Sequence, residues 1–415
     1  MKLAGLLPAV LADPALTRAR DLARAGGPPA DGLDLTAPAA LRPFAVALVA
    51  AATEAGGAAR PVLAVTATSR EADDLAEALA ALLPPELVAV YPAWETLPHE
   101  RLSPRSDTVG RRLGVLRRLA HPDAGDPQRG PVRVVVAPVR SVLQPQLKGL
   151  GDLEPVELRP GAEAELDAVV RRLADLAYAR VALVTKRGEF AGRGGILDVF
   201  PPTEEHPSRV EFWGDEVEEI RTFAVADQRT IDTVDRLWAP PCRELLLTPQ
   251  VRRRAAELAT EHPALAEILD KLAEGIPVEG MESLAPALLA GSDSLELLLD
   301  CMPPGTHVLL CDPERIRTRA HDLVRTSAEF LEASWASAAT AQAAADGSLG
   351  LGGQTPIDLD AAAFRGLGEV RTRSALLGLP WWSVSPFGLA EVEARRSDEP
   401  WRDPEPAVVV TADEG

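Results

Sequence analysis

The chain has 415 residues and a formal net charge of -19, from 62 acidic side chains against 43 lysines and arginines. At about 150 residues per domain this length predicts more than one domain. The acidity disfavours a general nucleic-acid binder, because such a chain repels a phosphate backbone. Three widely spaced cysteines, without a CxxC pair, disfavour a disulfide framework or a zinc site and favour a reducing cytoplasm. Apolar runs stay below the roughly 18 residues of a membrane span.

The first 155 residues have the pattern of an α/β domain. Val62 to Thr66 is a short β-branched apolar run, and a helix with leucines at helical spacing follows it. Glu86 to Pro92 and Val132 to Pro138 predict two further strands, with a helix over Thr108 to Ala120 between them. Continuous apolar strands that alternate with helices are typical of a parallel sheet covered on both faces.

The pattern changes at residue 156. A helix over Ala164 to Ala177 precedes three closely spaced strand patterns, "RVALVTKRGEF", "GGILDVF" and "SRVEFWGDEVEEIRTF". Turn residues such as Gly214 and Asp215 separate them. We therefore predict a small inserted α+β domain over residues 156–241, built from an antiparallel sheet and one helix.

Residues 242–345 return to helical patterns and contain one buried strand, His307 to Asp312, that leads into a long helix. We predict that they complete the α/β domain begun by residues 1–155. The stretch from 340 to 356 is small and Gly-rich, and a strand candidate follows at Val370. Residues 346–415 are therefore predicted to be a linker and part of a further domain.

An α/β chain of this type raises the question of a phosphate-binding loop, and the sequence has no GxxxxGK[ST]. At the expected place, Leu33 to Ala51, it carries Pro38 and neither glycine nor lysine. Asp312 ends a strand where a magnesium-binding acid would stand, but without a phosphate loop we interpret it as a helix N-cap. We predict that Thr36 and Asp312 mark a degenerate nucleotide site that binds no nucleotide. No catalytic residue and no metal site are predicted.

Two stretches resemble a known family. They are "YPAWETLPHERLSPRSDTVGRRLGVLRRL" and "GEFAGRGGILDVFPPTEEHPSRVEFWGDEVEEIRTFAVADQRTID". Both resemble the amino-terminal module of bacterial transcription-repair coupling factor, in matching order and spacing over about residues 1–345. That module is similar to the excision-repair protein UvrB. The resemblance therefore implies a degenerate RecA/helicase-like parallel sheet in two chain segments, with an inserted domain between them that binds UvrA.

The resemblance also implies which residues make that contact. Two arginines and an aromatic residue carry it in the family, and they match Arg193, Arg209 and Trp213, with Phe212 beside them. Arginine suits such a surface because its planar fork binds carboxylates at two points and stays charged. From the residues alone, the favoured interpretation is that both arginines are ordinary sheet-face residues paired with Glu189, Glu211 or Glu216.

As a function, the resemblance implies a cytoplasmic DNA-repair module, without catalytic activity of its own, that recruits UvrA. The full-length family member is an ATP-hydrolysing DNA translocase that uses Mg²⁺ and displaces stalled RNA polymerase from double-stranded DNA. Its motor and its polymerase-binding domain match nothing in this chain.

Two alternatives remain open at this point. One is a UvrB-like, nucleotide-dependent repair helicase with an unusual phosphate site. The other is a scaffold whose arginine-rich stretch, residues 101–118, contacts DNA.

Overall fold

The computed structural model describes residues 3, 5–26, 32–97, 100, 102–126, 129–289, 292–327, 329, 363–386 and 409–411. Its helices are α1 (Leu6–Val10), α2 (Pro14–Ala25), α3 (Arg42–Ala50), α4 (Ser69–Leu82), α5 (Ser106–Ala120), α6 (Val139–Leu143), α7 (Leu166–Asp175), α8 (Pro249–Glu261), α9 (Ala266–Ala273), α10 (Ala285–Leu288), α11 (313–327) and α12 (Leu367–Leu376).

The strands are β1 (Leu33–Thr36), β2 (Val62–Thr66), β3 (Val88–Val90), β4 (Val134–Pro138), β5 (Gln146–Leu147), β6 (Val156–Leu158), β7 (Ala179–Arg180), β8 (Glu189–Arg193), β9 (Ile196–Val199), β10 (Ser208–Trp213), β11 (Glu216–Phe223), β12 (Thr230–Thr233), β13 (Leu237–Ala239), β14 (Leu295–Glu296), β15 (His307–Cys311), β16 (Trp381–Ser385) and β17 (Val409–Thr411).

A parallel sheet of seven strands forms the centre of the larger α/β unit. Its order is β17-β1-β16-β15-β2-β4-β3, and each neighbouring pair is parallel. Strands β2, β4 and β15 are buried at each of their residues. Helices α2, α3 and α4 cover one face, and α5, α6, α11 and α12 cover the other. The predicted α/β class and two-sided cover are confirmed.

The region after residue 346 differs from the prediction. Strand β16 lies between β1 and β15, with Leu33 opposite Trp382 and Leu309 opposite the same residue. This strand is therefore central to the large sheet and does not belong to a separate domain. Val370 lies in α12, so the predicted strand there is wrong. The Gly-rich stretch at 340–356 lies outside the described residues.

A second sheet follows the order β12-β11-β10-β9-β8-β7. Its pairs are antiparallel except for β7 and β8, which are parallel. One face packs against α7 through Val169 and Leu173, which bury the inward side chains of β8 to β11. This is the small antiparallel sheet with one helix that the sequence predicted. The exact domain boundaries stay predictions.

A buried ion pair connects the large sheet to the chain that leaves the small one. Arg112 on α5 is fully buried, and its Nε lies 2.6 Å from Oε1 of Glu244. Trp94 Nε1 donates to the same oxygen at 2.9 Å, and Arg112 Nη1 donates to the carbonyl of Pro92 at 3.0 Å. The guanidinium also stacks on the Tyr91 ring, 4.3 Å from its centroid. Burial is the largest single effect and opposes the charged form. The combined attraction of Glu244, Tyr91 and Cys301 nevertheless raises the Arg112 pKa above its ordinary value.

Helix α5 also contacts the small sheet's connecting loops. A Cβ on Gly110 would lie 2.8 Å from Cβ of Pro202, so only glycine permits this close approach. At the start of the same helix, the Ser106 hydroxyl donates to the carbonyl of Arg187 at 3.2 Å. One helix therefore carries both the buried ion pair and the contact with the small sheet.

The arginine-rich stretch is only partly a solvent-exposed face. Arg112 is buried, Arg118 Nε donates to the Gly130 carbonyl at 2.9 Å, and Arg117 Nη1 donates to the Leu153 carbonyl at 3.3 Å. Arg105 and Arg111 are exposed. A continuous basic stripe, as the DNA-contacting scaffold would need, is not formed by residues 102–118. Among the described residues, no helix is both long and apolar enough to cross a bilayer.

We expect Arg112→Met to reduce the free energy of unfolding by roughly 3–5 kcal/mol, because it leaves the Glu244 carboxylate buried without its partner. The measurement is urea unfolding followed by circular dichroism. The double variant Arg112→Met/Glu244→Leu should lose clearly less, since it removes both charges. A single variant as stable as the unaltered chain would contradict this role for the pair.

Candidate partner-binding surface

The outward face of the small sheet brings the two predicted arginines together. Arg193 on β8 lies opposite Ile196 on β9, and Arg209 on β10 lies opposite Asp198, two residues further along β9. Residues two apart in a strand point to the same face. Arg193 and Arg209 therefore share one face and are separated by a single strand.

Two tight turns shape the end of this face. Gly194 and Gly195 connect β8 to β9, and Gly214 begins the turn that connects β10 to β11. Gly194 and Gly214 have φ values of 59° and 62°, as the first central residue of a type II′ hairpin turn requires. Gly195 accepts the Phe212 N–H at 2.8 Å, and a Cβ on it would lie 2.8 Å from the Phe212 carbonyl oxygen. Glycines thus bring the first hairpin close to β10.

Arg193 is exposed at the end of β8. Its Nη2 donates to the backbone carbonyl of Ala182 at 2.6 Å. Among the residues that the structure describes, it forms no ion pair with a carboxylate. A backbone carbonyl orients the guanidinium without neutralising it, so the charge of Arg193 is available to an acidic partner.

Arg209 is held differently. Its Nε and Nη2 bind the two oxygens of Asp198 at 2.7 and 2.8 Å, and its guanidinium lies 4.6 Å from the Phe223 ring centroid. The hydrogen bond to Asp198 raises the pKa of Arg209. The alternative of pairing with Glu189, Glu211 or Glu216 is not what the structure has. The partner of Arg209 is Asp198, which was not among the predicted site residues. The alternation of apolar and polar residues in "GGILDVF" was the signal in the sequence that Asp198 lies on the outward face.

The aromatic pair Phe212 and Trp213 is divided between the two faces. Trp213 is 79% exposed, whereas Phe212 is 8% exposed and packs with Leu197 and Val210 in the core under the sheet. Successive strand residues point to opposite faces, so only one of two neighbours can be outward. The prediction that Phe212 contacts a partner is therefore wrong. The exposed Trp213 is a residue type that often serves as an anchor at protein–protein interfaces.

The predicted degenerate nucleotide site lies at the carboxyl edge of the large sheet. Thr36 ends β1, and a turn containing Pro38 leads to α3, which begins at Arg42. Arg42 Nη2 forms an ion pair with Oδ2 of Asp312 at 3.0 Å. The backbone N–H of Arg315 donates to Oδ1 of Asp312 at 3.4 Å, as at the N-cap of a helix.

These residues do not fit a magnesium triphosphate. The turn after Thr36 has no glycine to bring backbone amides toward phosphates, and Pro38 has no N–H to donate. The Asp312 carboxylate, which would have to bind the metal, is already paired with Arg42 and is 8% exposed. Arg42 therefore neutralises the carboxylate that a nucleotide site would use to bind its metal ion.

Comparison with known proteins agrees with the predicted resemblance. Residues 156–245 match the UvrB interaction domain family. The chain is 52% identical over 397 residues to the transcription-repair-coupling factor of Mycobacterium tuberculosis. The matched region covers 92% of this chain and 30% of that relative. The resemblance to transcription-repair coupling factor is confirmed. The chain spans about a third or less of the length of these curated relatives.

More distant relatives agree with this comparison. The transcription-repair-coupling factor of Myxococcus xanthus is 34% identical over 277 residues, or 62% of this chain and 22% of the relative. The UvrABC system protein B of Rhodopirellula baltica is 32% identical over 133 residues, or 31% of this chain and 18% of the relative. The likeness to coupling factor thus extends beyond mycobacteria, and the match to this UvrABC system protein B covers a shorter stretch of the chain.

We expect Gly195→Ala to lower the stability of the small sheet by about 1–3 kcal/mol, because its Cβ would collide with the backbone of β10. Urea unfolding followed by circular dichroism measures the effect on the free energy of unfolding. Gly192→Ala, on the adjoining strand β8, is the matched control, because the nearest atom to its Cβ would be 4.0 Å away. Equal unfolding midpoints for the two variants would show that the close approach is unimportant.

Proposed function

We propose that this chain is the amino-terminal recruitment module of a transcription-repair coupling factor, and that its small sheet binds UvrA to bring excision repair to stalled RNA polymerase. The observation that carries the proposal is the UvrB interaction domain at residues 156–245, whose outward face presents Arg193 and Trp213 to solvent. Charged and aromatic side chains in this arrangement are typical of the residues that contribute most to binding.

The two arginines have different roles in this proposal. Arg193 has an unneutralised charge and binds a carboxylate of UvrA directly. Arg209 is held in place by Asp198, and 24% of its side chain is exposed. The exposed edge of its guanidinium is therefore already oriented before UvrA binds. Asp198 is therefore a positioning residue, because it holds a guanidinium that would otherwise lose rotamer freedom on binding.

We propose that the large sheet is the degenerate RecA-like domain of this module, assembled from two chain segments. Strands β1 to β4 come from residues 1–155 and β15 comes from residues 242–345, while the small sheet lies between them in sequence. The insertion of residues 156–241 into this domain supports that assignment. The additional strand β16 extends the second segment further along the chain than predicted.

We propose that this segment itself neither binds nor hydrolyses ATP, since Arg42 neutralises Asp312 and the turn after Thr36 lacks glycine. ATP hydrolysis with Mg²⁺, double-stranded DNA binding and RNA polymerase binding would then belong to other parts of the full-length protein. A cytoplasmic location follows from this function. The UvrB-like helicase alternative would need the phosphate site that these residues do not form.

We expect the double charge reversal Arg193→Glu/Arg209→Glu to weaken UvrA binding by about 30-fold or more, which corresponds to on the order of 2 kcal/mol. The reason is that two carboxylates would replace the guanidinium groups facing an acidic partner. Surface plasmon resonance with immobilised UvrA and the 415-residue chain gives the affinity.

Arg171→Glu is the control, because Arg171 is an exposed arginine on α7, on the other side of the sheet. It should leave the affinity within about twofold. Equal loss in the control and the double variant would place the contact elsewhere, and no binding by the unaltered chain would refute the proposed function.

Calorimetric titration of the chain with MgATP tests the nucleotide proposal. We expect no saturable heat at millimolar ATP, because the site offers neither phosphate-binding amides nor an unpaired acid. Micromolar affinity, abolished by Asp312→Asn, would instead favour the helicase alternative.

A further inference from the structure

An apolar side chain lies on the outward face between the two exposed anchors. Ile196 begins β9 and is 40% exposed. It lies opposite Arg193 across the β8–β9 pair and opposite Glu211 across the β9–β10 pair. Trp213 is two residues beyond Glu211 on β10, so it is the diagonal neighbour of Ile196 on the same face.

The spacing makes these three side chains one continuous patch. Directly opposed residues on antiparallel strands have Cβ atoms roughly 4.5–5.5 Å apart, and diagonal neighbours are separated by about 7–8 Å. Ile196 is therefore within side-chain reach of both Arg193 and Trp213. The patch therefore combines the cation of Arg193 with the apolar side chains of Ile196 and Trp213. A partner would bind it through apolar contacts as well as through charge.

We propose that Ile196 is a direct contact of the partner that binds Arg193 and Trp213, and that the partner's surface there is an apolar patch bordered by a carboxylate. This inference rests on the proposed function, because it assigns the patch to UvrA. Continuity with the two anchors supports it, since a partner that covers both must also cover the residue between them. An apolar residue in that position becomes fully desolvated when the anchors are engaged.

The chain offers a matched control on the same sheet. Ile231 on the edge strand β12 is 49% exposed, and strands β11 and β10 separate it from β9. Both isoleucines are half-exposed strand residues, so the same substitution changes a similar amount of apolar surface in each. Only Ile196 is next to Arg193.

The test compares Ile196→Ser and Ile231→Ser in the 415-residue chain by surface plasmon resonance with immobilised UvrA. We expect Ile196→Ser to weaken binding about tenfold and Ile231→Ser to change it less than twofold. Ile196→Met, which keeps an apolar side chain, should retain most of the affinity. Urea unfolding midpoints of all three variants should be similar.

Salt separates the apolar contact from the charged one. The loss caused by Arg193→Glu should shrink as ionic strength rises, because salt screens exposed charges, whereas the loss caused by Ile196→Ser should persist. Wild-type affinity for Ile196→Ser, with Arg193→Glu still impaired, would overturn this inference and leave the proposed function intact. Equal losses for both serine variants would overturn it as well, and failure of the unaltered chain to bind UvrA would overturn both.

Discussion

The buried ion pair between Arg112 and Glu244 determines how the two sheets are joined. Arg112 comes from a helix that covers the large sheet, and Glu244 follows the last strand of the small-sheet region. Removing two charges from water is costly, and contacts with Trp94, Pro92 and the Tyr91 ring offset part of that cost. The second carboxylate oxygen of Glu244, Oε2, is buried without a hydrogen-bond partner among the described residues. Such a pair contributes a specific geometry more than it contributes stability. It fixes where the chain returns from the insertion.

The outward face of the small sheet, the candidate partner-binding surface, shows how an acidic chain presents positive charge. Asp198 neutralises much of Arg209, and Glu211 and Glu219 both contact Arg221, so most of the sheet face is internally paired. Arg193 is the exception among the described arginines of this face, because its partner is a backbone carbonyl. The positive charge of this face that no carboxylate neutralises is therefore at one end of the sheet, beside Ile196 and the exposed indole of Trp213.

An ion pair closes the carboxyl edge of the large parallel sheet. Arg42 reaches from the start of α3 to Asp312 at the end of β15, across the position of the intervening strand β16. The contact therefore ties together the segments that follow β1 and β15.

Local pattern in the sequence was enough to predict the buried strands β2, β4 and β15, the small antiparallel sheet and the absence of a phosphate loop, because each depends on residues near one another in the chain. The resemblance to coupling factor, and not local pattern, implied a partner contact by Arg193, Arg209 and Trp213, and that contact stays a prediction. Tertiary structure alone decided that β16 pairs with β1, since Leu33 and Trp382 are far apart in sequence. It likewise decided that Phe212 faces inward and that Asp198 holds Arg209, because which face of a strand is buried depends on what packs against it.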